Sequence, residues 1–464
     1  MKNLNLKFKS QGRLCLLLSS VFLTSCSFQP PVDDLTIRTP GTWSEAYTGT
    51  EGKISTGWLS EFNDTGLIRS VNEALASNRS LKAASARLRE AQQETIIARA
   101  RRLPTLGIDT RGGAADGANI SRSQSYNLNL AASWEPDLWG RLRDLTRAAA
   151  ADERAAIEDF RGARLSLAAN SAKAYINLGT AAQEIELAEF TLDSFSKNLR
   201  IIERNYKATG EGALDIQFAR TNVSAAQRSL EARKLDRDNA ARTLEVLQGR
   251  YPSGGTNSTN VLPNLPSAVP AGVPANMVER RPDLAAARAR LFASAKRADA
   301  ARKSLLPDIS LTAGGGMAGA RISDLLDPDF LIANITGRVG QVIFDGKALA
   351  ADAKAARARN ERLVNEYAQL ALLAFQEVEA NLAADRSLEK QEAFLESEVL
   401  QASLAERQAE RDYAEGINPN ILSVLEAQRR ATNARASIIR LRNQRLQNRL
   451  DLHLALGGDF RTGV

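Results

Sequence analysis

The sequence predicts a mainly α-helical chain with a membrane β-barrel, built as a tandem repeat of long coiled-coil helices plus four strands. Three observations predict it. The chain is written twice, with matching segments roughly 205 residues apart. Two runs of nearly seventy residues lack proline, too long for ordinary globular helices. Four short segments alternate apolar and polar residues, at about the ten-residue length of a tilted membrane strand.

The repeat shows in three places. Arg102-Leu103-Pro104-Thr105-Leu106-Gly107-Ile108 returns as Leu305-Leu306-Pro307-Asp308-Ile309-Ser310-Leu311. Leu138-Trp139-Gly140-Arg141 returns as Phe344-Asp345-Gly346-Lys347, and Tyr206-Lys207-Ala208-Thr209-Gly210 is echoed by Tyr413-Ala414-Glu415-Gly416. Each unit opens with a helix, expected over residues 65–102 and 282–306. Both stop before a proline, because its ring disfavours the α conformation of the preceding residue. Pro282 suits a first helical turn, and Asp283 behind it complements the positive helix end.

Two strands follow in each unit. In the first, Tyr126, Leu128, Leu130, Ala132 and Trp134 face one way and Asn127, Asn129, Ser133 and Glu135 the other. Its counterpart sets Leu331, Ala333, Ile335 and Val339 against Asn334, Thr336 and Arg338. The partner strands set Leu106 and Ile108 against Asp109 and Arg111, and Ile309 and Leu311 against Ser310 and Thr312. The same alternation also fits a half-buried strand of a soluble sheet.

The rods come next, residues 141–209 and 347–415. At ~1.5 Å per residue each reaches roughly 100 Å. Leu178, Ile185, Leu192, Leu199 and Tyr206 recur at heptad spacing, with Ala181, Ala188, Phe195 and Ile202 offset by three, as a coiled coil requires. Each rod turns at a glycine-containing tip, and a return helix follows to about residue 248 or 456. A Pro-rich stretch, residues 261–274, joins the two units.

Four strands cannot close a membrane barrel, since the smallest have about eight. An open edge in lipid leaves N–H and C=O groups unpaired. Several chains must therefore contribute, and three give a 12-stranded barrel by cyclic symmetry, with the rods forming a periplasmic α-barrel.

The N-terminus reads as a secretory signal: Lys2, Lys7, Lys9 and Arg13, then an apolar run over residues 14–23. It ends in Leu23-Thr24-Ser25-Cys26, which resembles a bacterial lipobox, and the resemblance implies cleavage before Cys26 and acylation of that residue. Ser27 follows, implying sorting to the outer membrane. An ordinary signal peptide with an incidental cysteine is the plainer alternative. With Cys15 removed, Cys26 is the sole cysteine, so no intramolecular disulfide is available. The expected divisions are a signal peptide at 1–25, a lipidated extended segment at 26–64, repeat one at 65–250, a linker at 251–281, repeat two at 282–458 and a tail at 459–464.

Of the 464 residues, 44% are hydrophobic, 25% charged and only 5% aromatic, a balance that favours packed helices. The net charge of +7 raises the question of nucleic acid. Acids and bases alternate at helical spacing, however, as on solvated faces, so no nucleic-acid partner is expected. His453 is the only histidine; it excludes histidine triads and multi-histidine metal sites and reads as a helix-surface residue. Gly314-x-Gly316-x-x-Gly319 matches a dinucleotide fingerprint formally, but it follows an alternating strand and opens no helix, so it reads as strand-end glycines. Nothing points to an enzyme or a cofactor other than lipid on Cys26.

Val273-Pro274 with Glu279-Arg280-Arg281-Pro282-Asp283-Leu284 resembles the inter-repeat signature of the outer membrane factor (TolC-like) family. With the lipobox, it resembles the NodT-type lipoprotein branch that serves resistance-nodulation-division (RND) pumps. The resemblance implies a homotrimeric exit channel in the outer membrane, conducting drugs or other small molecules passively from an inner-membrane RND pump through a periplasmic adaptor. It also implies a pore gate at Tyr413, Leu422, Leu425 and Glu426. Ser423 departs from the family's second acid, and Asn418-Pro419-Asn420 lengthens the turn. Leu422 and Leu425 read equally well as coiled-coil seam residues. Gly210 and Gly416 match the tips that meet the adaptor, and also suit any tight turn needing positive φ. Arg435, Arg442 and Arg449 form a stripe, fit for interhelical salt bridges or for a lumen favouring anions. A protein-secretion duct and a pore-free periplasmic tether are the alternative functions.

Overall fold

A computed structural model describes residues 41–44, 57–117, 120–210, 212–256, 261–267, 269, 274–417 and 420–460. The signal sequence, Cys26, Val273, Asn418 and Pro419 lie outside the described residues. Among the described residues three helices come first: α1 (Trp58–Glu61), α2 (Thr65–Ser77) and α3 (Arg79–Ala100). Then come β1 (Thr105–Gly117), β2 (Ile120–Trp134), the rod α4 (Arg141–Thr209) and its return helix α5 (Ala213–Leu247). The second unit holds α6 (Pro274–Arg280), α7 (Pro282–Lys303), β3 (Asp308–Gly319), β4 (Leu331–Gly340), the rod α8 (Ala348–Ala414) and α9 (Ile421–Ala455). Among the described residues, no helix is long and apolar enough to cross a membrane.

The first expected helix is two. Asn78 ends α2, donating its N–H to Ala74, and starts α3, its Oδ1 accepting from the Leu81 N–H at 2.9 Å. Its ψ of 129° breaks the helical path, and its Nδ2 donates to the Leu247 carbonyl at the end of α5. A capping side chain thus replaces the helix continuation. The expected linker likewise contains a helix, α6, just before the Arg281-Pro282 step. Pro282 does open α7 at its first turn.

The strands form one antiparallel sheet in the order β1-β2-β3-β4. Ile108 lies opposite Leu130, Leu130 opposite Gly315 and Gly315 opposite Ala333. This register carries a continuous apolar face across all four strands, since residues two apart share a face. Two elbows carry the sheet into the rods by the same device. Asp137 accepts from the N–H groups of Leu142 and Arg143 at 2.9 and 2.7 Å, and Asp345 from Lys347 and Leu349 at 2.9 and 2.7 Å. Each carboxylate caps a rod at its positive end, behind a residue at φ 75°, Gly140 or Lys347.

The helices lie side by side in a layer four wide. Near the sheet the order is α3, α4, α7, α8; toward the tips it is α5, α4, α9, α8. Among the described residues, the largest apolar cluster sits midway along α4. There Trp58, Phe62, Leu67 and Val71 pack on Leu165, Ala172 and Ile176, with Leu446, Leu450 and Phe460 from the C-terminal end.

Candidate functional site: the channel wall and the rod tips

Among the described residues, nothing covers the apolar face of the sheet. Leu106, Ile108, Leu331, Ile335 and Val339 are all more than half exposed. On the other face run Asn127, Asn129, Asn334, Thr336 and Arg338, the alternation of a barrel with lipid outside and water inside. Trp134 and Trp139 mark the lower border of the sheet. Their indole N–H groups donate to the Arg102 carbonyl at 3.0 Å and the Pro307 carbonyl at 2.7 Å, tying the first strand-to-rod elbow to the incoming helix-to-strand junctions of both repeats. The glycines of the formal dinucleotide fingerprint are strand residues of β3.

Ion pairs stitch the rod to its return helix in the second repeat. As α9 climbs, Arg435 meets Glu406 at 2.6 Å, Arg442 meets Glu392 and Glu396 at 2.9 Å each, and Arg449 meets Asp385 at 3.0 Å. The arginine stripe is therefore a ladder between α8 and α9. Two arginines of α9 hold Glu392 below its ordinary carboxylate value: burial alone would raise it, but Arg445 and Arg442 outweigh that. Arg449 and Asp385 are both buried, and Arg449 also donates to the Ser267 carbonyl of the linker.

The inter-repeat motif has a comparable structural role. Arg281 forks onto Asp283 at 2.8 Å and Glu377 at 2.6 Å, and donates to the Ala455 carbonyl at 3.2 Å. One guanidinium thus ties the start of α7 to α8 and to the end of α9. His453, expected on a helix surface, is fully buried. The residue that covers it, Trp58, comes from a short helix far away in sequence, so no local periodicity marks the contact.

At the tips the expected gate residues separate into two kinds. Tyr413 and Leu425 are half-buried and pack on the cluster of Ile202, Ile216, Ala219, Ile421 and Val424 that joins the two hairpins. Tyr413 also hydrogen-bonds Asn205 on α4, and burial, then the charge of Asp215, raises its pKa. Leu422 is 53% exposed, its N–H donating to the capping Asn420 Oδ1. Glu426 is partly exposed and bound by Arg430 at 2.7 Å and Arg429 at 2.8 Å, which hold it below its ordinary value. Gly210 and Gly416 stand at φ 76° and 72°, with open space around each. Sequence reasoning missed Gln428, which is buried between the hairpins and donates to Ser194 at 3.1 Å and Glu410 at 2.8 Å. A lone glutamine within an apolar heptad register was its only signal.

A membrane-length sheet with one bare apolar face, running into a wall of rods, defines an outer-membrane channel. The outer membrane efflux protein family profile matches residues 70–250 and 273–458, and the chain belongs to that family. It is 30% identical over 461 residues to the pyoverdine export outer membrane protein OpmQ of Pseudomonas putida, covering 96% of this chain and 97% of that one. It is 31% identical over 459 residues to the outer membrane protein OprJ of Pseudomonas aeruginosa, covering 96% of each. The fold matches the Campylobacter jejuni CmeC outer membrane channel with a TM-score of 0.85 at 23% identity, over 89% of this chain and 91% of that one. The chain is an efflux channel of the Gram-negative outer membrane, a transport protein and not an enzyme.

Proposed function

We propose that three copies of this chain close into a 12-stranded barrel above a twelve-helix tube, and that the tube conducts small molecules passively to the outside. The observation that carries this reading is a four-stranded sheet with one exposed apolar face and two unpaired edges. Neither lipid nor water suits such a sheet as a monomer, because edge groups in lipid go unsatisfied. A pore-free tether has no use for that face. Cargo reaches the tube from an inner-membrane RND pump through a periplasmic adaptor that meets the Gly210 and Gly416 tips. Relatives named for pyoverdine and toluene export support small molecules as the cargo class. Acyl chains on Cys26 supplement the barrel as a membrane anchor; more than one chain is needed for a stable hold.

In this reading exposed Leu422 and partly exposed Glu426 narrow the closed tip. Tyr413 and Leu425, packed between hairpins, hold α9 in that position. Electron microscopy of the detergent-extracted mature protein tests the assembly. A three-fold particle with a stalk of roughly 100 Å is expected; monomers or plain rods would overturn it.

A further inference from the structure

We propose that the groove framed by α4, α5 and α9, just above the closed tip, is a binding site for amphiphilic organic anions. Arg429 and Arg430 take the acid group, and Phe195, Phe218 and Leu425 take the apolar body. This inference rests on the reading of the tip above, which turns Leu422 and Glu426 toward the lumen, and adds a ligand class to that face.

The groove follows from the spacing on three helices. Leaving the tip, α9 carries Leu422, Glu426 and Arg429 at steps of four and three, so they share one face, with Leu425 beside them. Opposite them α5 presents Phe218 and Asn222, and α4 presents Thr191 and Phe195. The space between holds about 600 Å³, within the roughly 300–1,000 Å³ of small-molecule sites. Phe218 is 39% exposed and Leu422 53%. Both are large apolar side chains open to water on a wall of threonine, asparagine and serine. A flat apolar ligand laid on them removes that surface from water.

Charge selects the ligand class. Both oxygens of Glu426 are already occupied. Arg429 donates from Nε to Oε2 at 2.9 Å and from Nη2 to Oε1 at 2.8 Å, and Arg430 donates from Nε to Oε1 at 2.7 Å. One carboxylate therefore meets two guanidiniums, and a positive charge is left over. Arg430 spends only its Nε, and its two terminal nitrogens have no partner among the described residues. Those nitrogens belong to a planar fork of donors that suits a carboxylate or sulfonate.

The surplus continues up the same face. Thr191, Ala226, Ser229, Thr432 and Asn433 line both this groove and the one above it. In the upper groove Glu184 is bonded by Arg233 at 3.0 Å, whereas Arg440 has no ion-pair partner among the described residues. Each acid that lines the two grooves is thus held by arginine, with cations spare at both ends. The stripe of Arg435, Arg442 and Arg449 is spent on acids of α8 and supplies none of this surplus. A cationic ligand finds no free acceptor here. A neutral one leaves the Arg430 fork unused, and an amphiphilic anion engages both the fork and the apolar wall.

The test uses two probes, 2-naphthoate, an apolar ring system with one carboxylate, and its neutral counterpart 2-naphthamide. Binding to the full-length, detergent-extracted protein is followed by the fluorescence anisotropy of each probe. The parent chain should bind the acid. Arg429→Gln with Arg430→Gln should weaken that binding about fivefold, and Phe218→Ala should weaken it as well. All three side chains are exposed, so these changes spare the packed core. The amide should bind the parent more weakly than the acid does and be indifferent to the arginine changes. Equal binding of the acid by parent and arginine variant, or amide binding as tight as the acid, would overturn the site. Asn433→Cys, exposed in the same groove, tests the reading beneath it. A charged thiol reagent should lower its conductance in planar bilayers and leave that of the parent chain unchanged. Unaltered conductance with naphthoate binding intact would instead overturn the lumen placement, and with it the reading of the tip.

Discussion

His453 lies flat on Trp58, with ring centroids 5.5 Å apart and planes 20° from parallel, and neither imidazole nitrogen has a hydrogen-bond partner. Its Nε2 is 3.8 Å from Glu61 Oε2, and Arg449 lies one helical turn away on α9. Burial first, and the Arg449 charge second, lower its pKa from 6.5 to about 3. The folded chain therefore keeps the ring neutral, whereas the unfolded chain takes up a proton below pH 6.5. Stability is unaffected above that pH and falls as the pH drops from 6.5 toward 3. At pH 4.5 the loss from this one group is about 2–3 kcal/mol. His453→Phe keeps the stacking and removes the proton site. Its melting temperature should fall less between pH 7.5 and pH 4.5 than that of the parent chain. Equal falls would show that other groups set the acid response.

Arg449 and Asp385 form the most deeply buried ion pair of the α8–α9 ladder, with side-chain exposures of 3% and 6%. Removing one partner strands the other charge away from water, at about 3–5 kcal/mol. Arg449→Met alone should lower the thermal midpoint, followed by helical circular dichroism. Adding Asp385→Leu should recover most of the loss, because the stranded charge goes with it. A double variant no better than the single one would mean that the Ser267 contact, and not the ion pair, is what matters.

The parts legible in the sequence were those with a period. Alternation from Tyr126 to Trp134 foretold the strand and its faces, and the heptads from Leu178 to Tyr206 foretold the rod. Pro104 and Pro307 marked the helix-to-strand junctions, because proline acts on its immediate neighbour whatever the tertiary setting. Single contacts between distant segments left no such trace. Asn78 splits a helix through its bond to Leu247, and His453 is buried by Trp58; neither event alters the local pattern. At the tip, Leu422 and Leu425 have the same residue type and near-identical sequence surroundings. Only the position of Ile202 and Ile216 on the other hairpin makes one exposed and the other packed.

Gly316 separates the requirements of the strands from those of the lipid face. A Cβ there would stand 2.3 Å from the Leu128 carbonyl oxygen and 2.8 Å from the Asn129 Cα, both backbone atoms of β2. Gly316→Ala must push β2 and β3 apart and should reduce assembled protein in the outer-membrane fraction several-fold. At Gly337 nothing lies within 4 Å, and Gly337→Ala should assemble normally. Equal yields of the two variants would show that the sheet adjusts around Gly316 without cost.

Tyr413 reaches from the last turn of α8 to Asn205 on α4, so its hydroxyl links the two hairpins at the tip. Its ring separately packs on the shared apolar cluster. Tyr413→Phe removes the first contact and keeps the second. If the hydroxyl helps to hold the tip closed, the variant should show higher conductance in planar bilayers with little change in melting temperature. The bond is a neutral one, worth about 1 kcal/mol, so the closed fraction should fall by several-fold at most. Asn205→Ala should give a similar rise, and the double variant no more than either single one, because both remove the same interaction. An additive double variant would mean that the two residues restrain the tip independently. Unchanged conductance in all three would move the restraint to the buried Gln428, whose bond to Ser194 spans the same pair of hairpins while Glu410 holds it within its own.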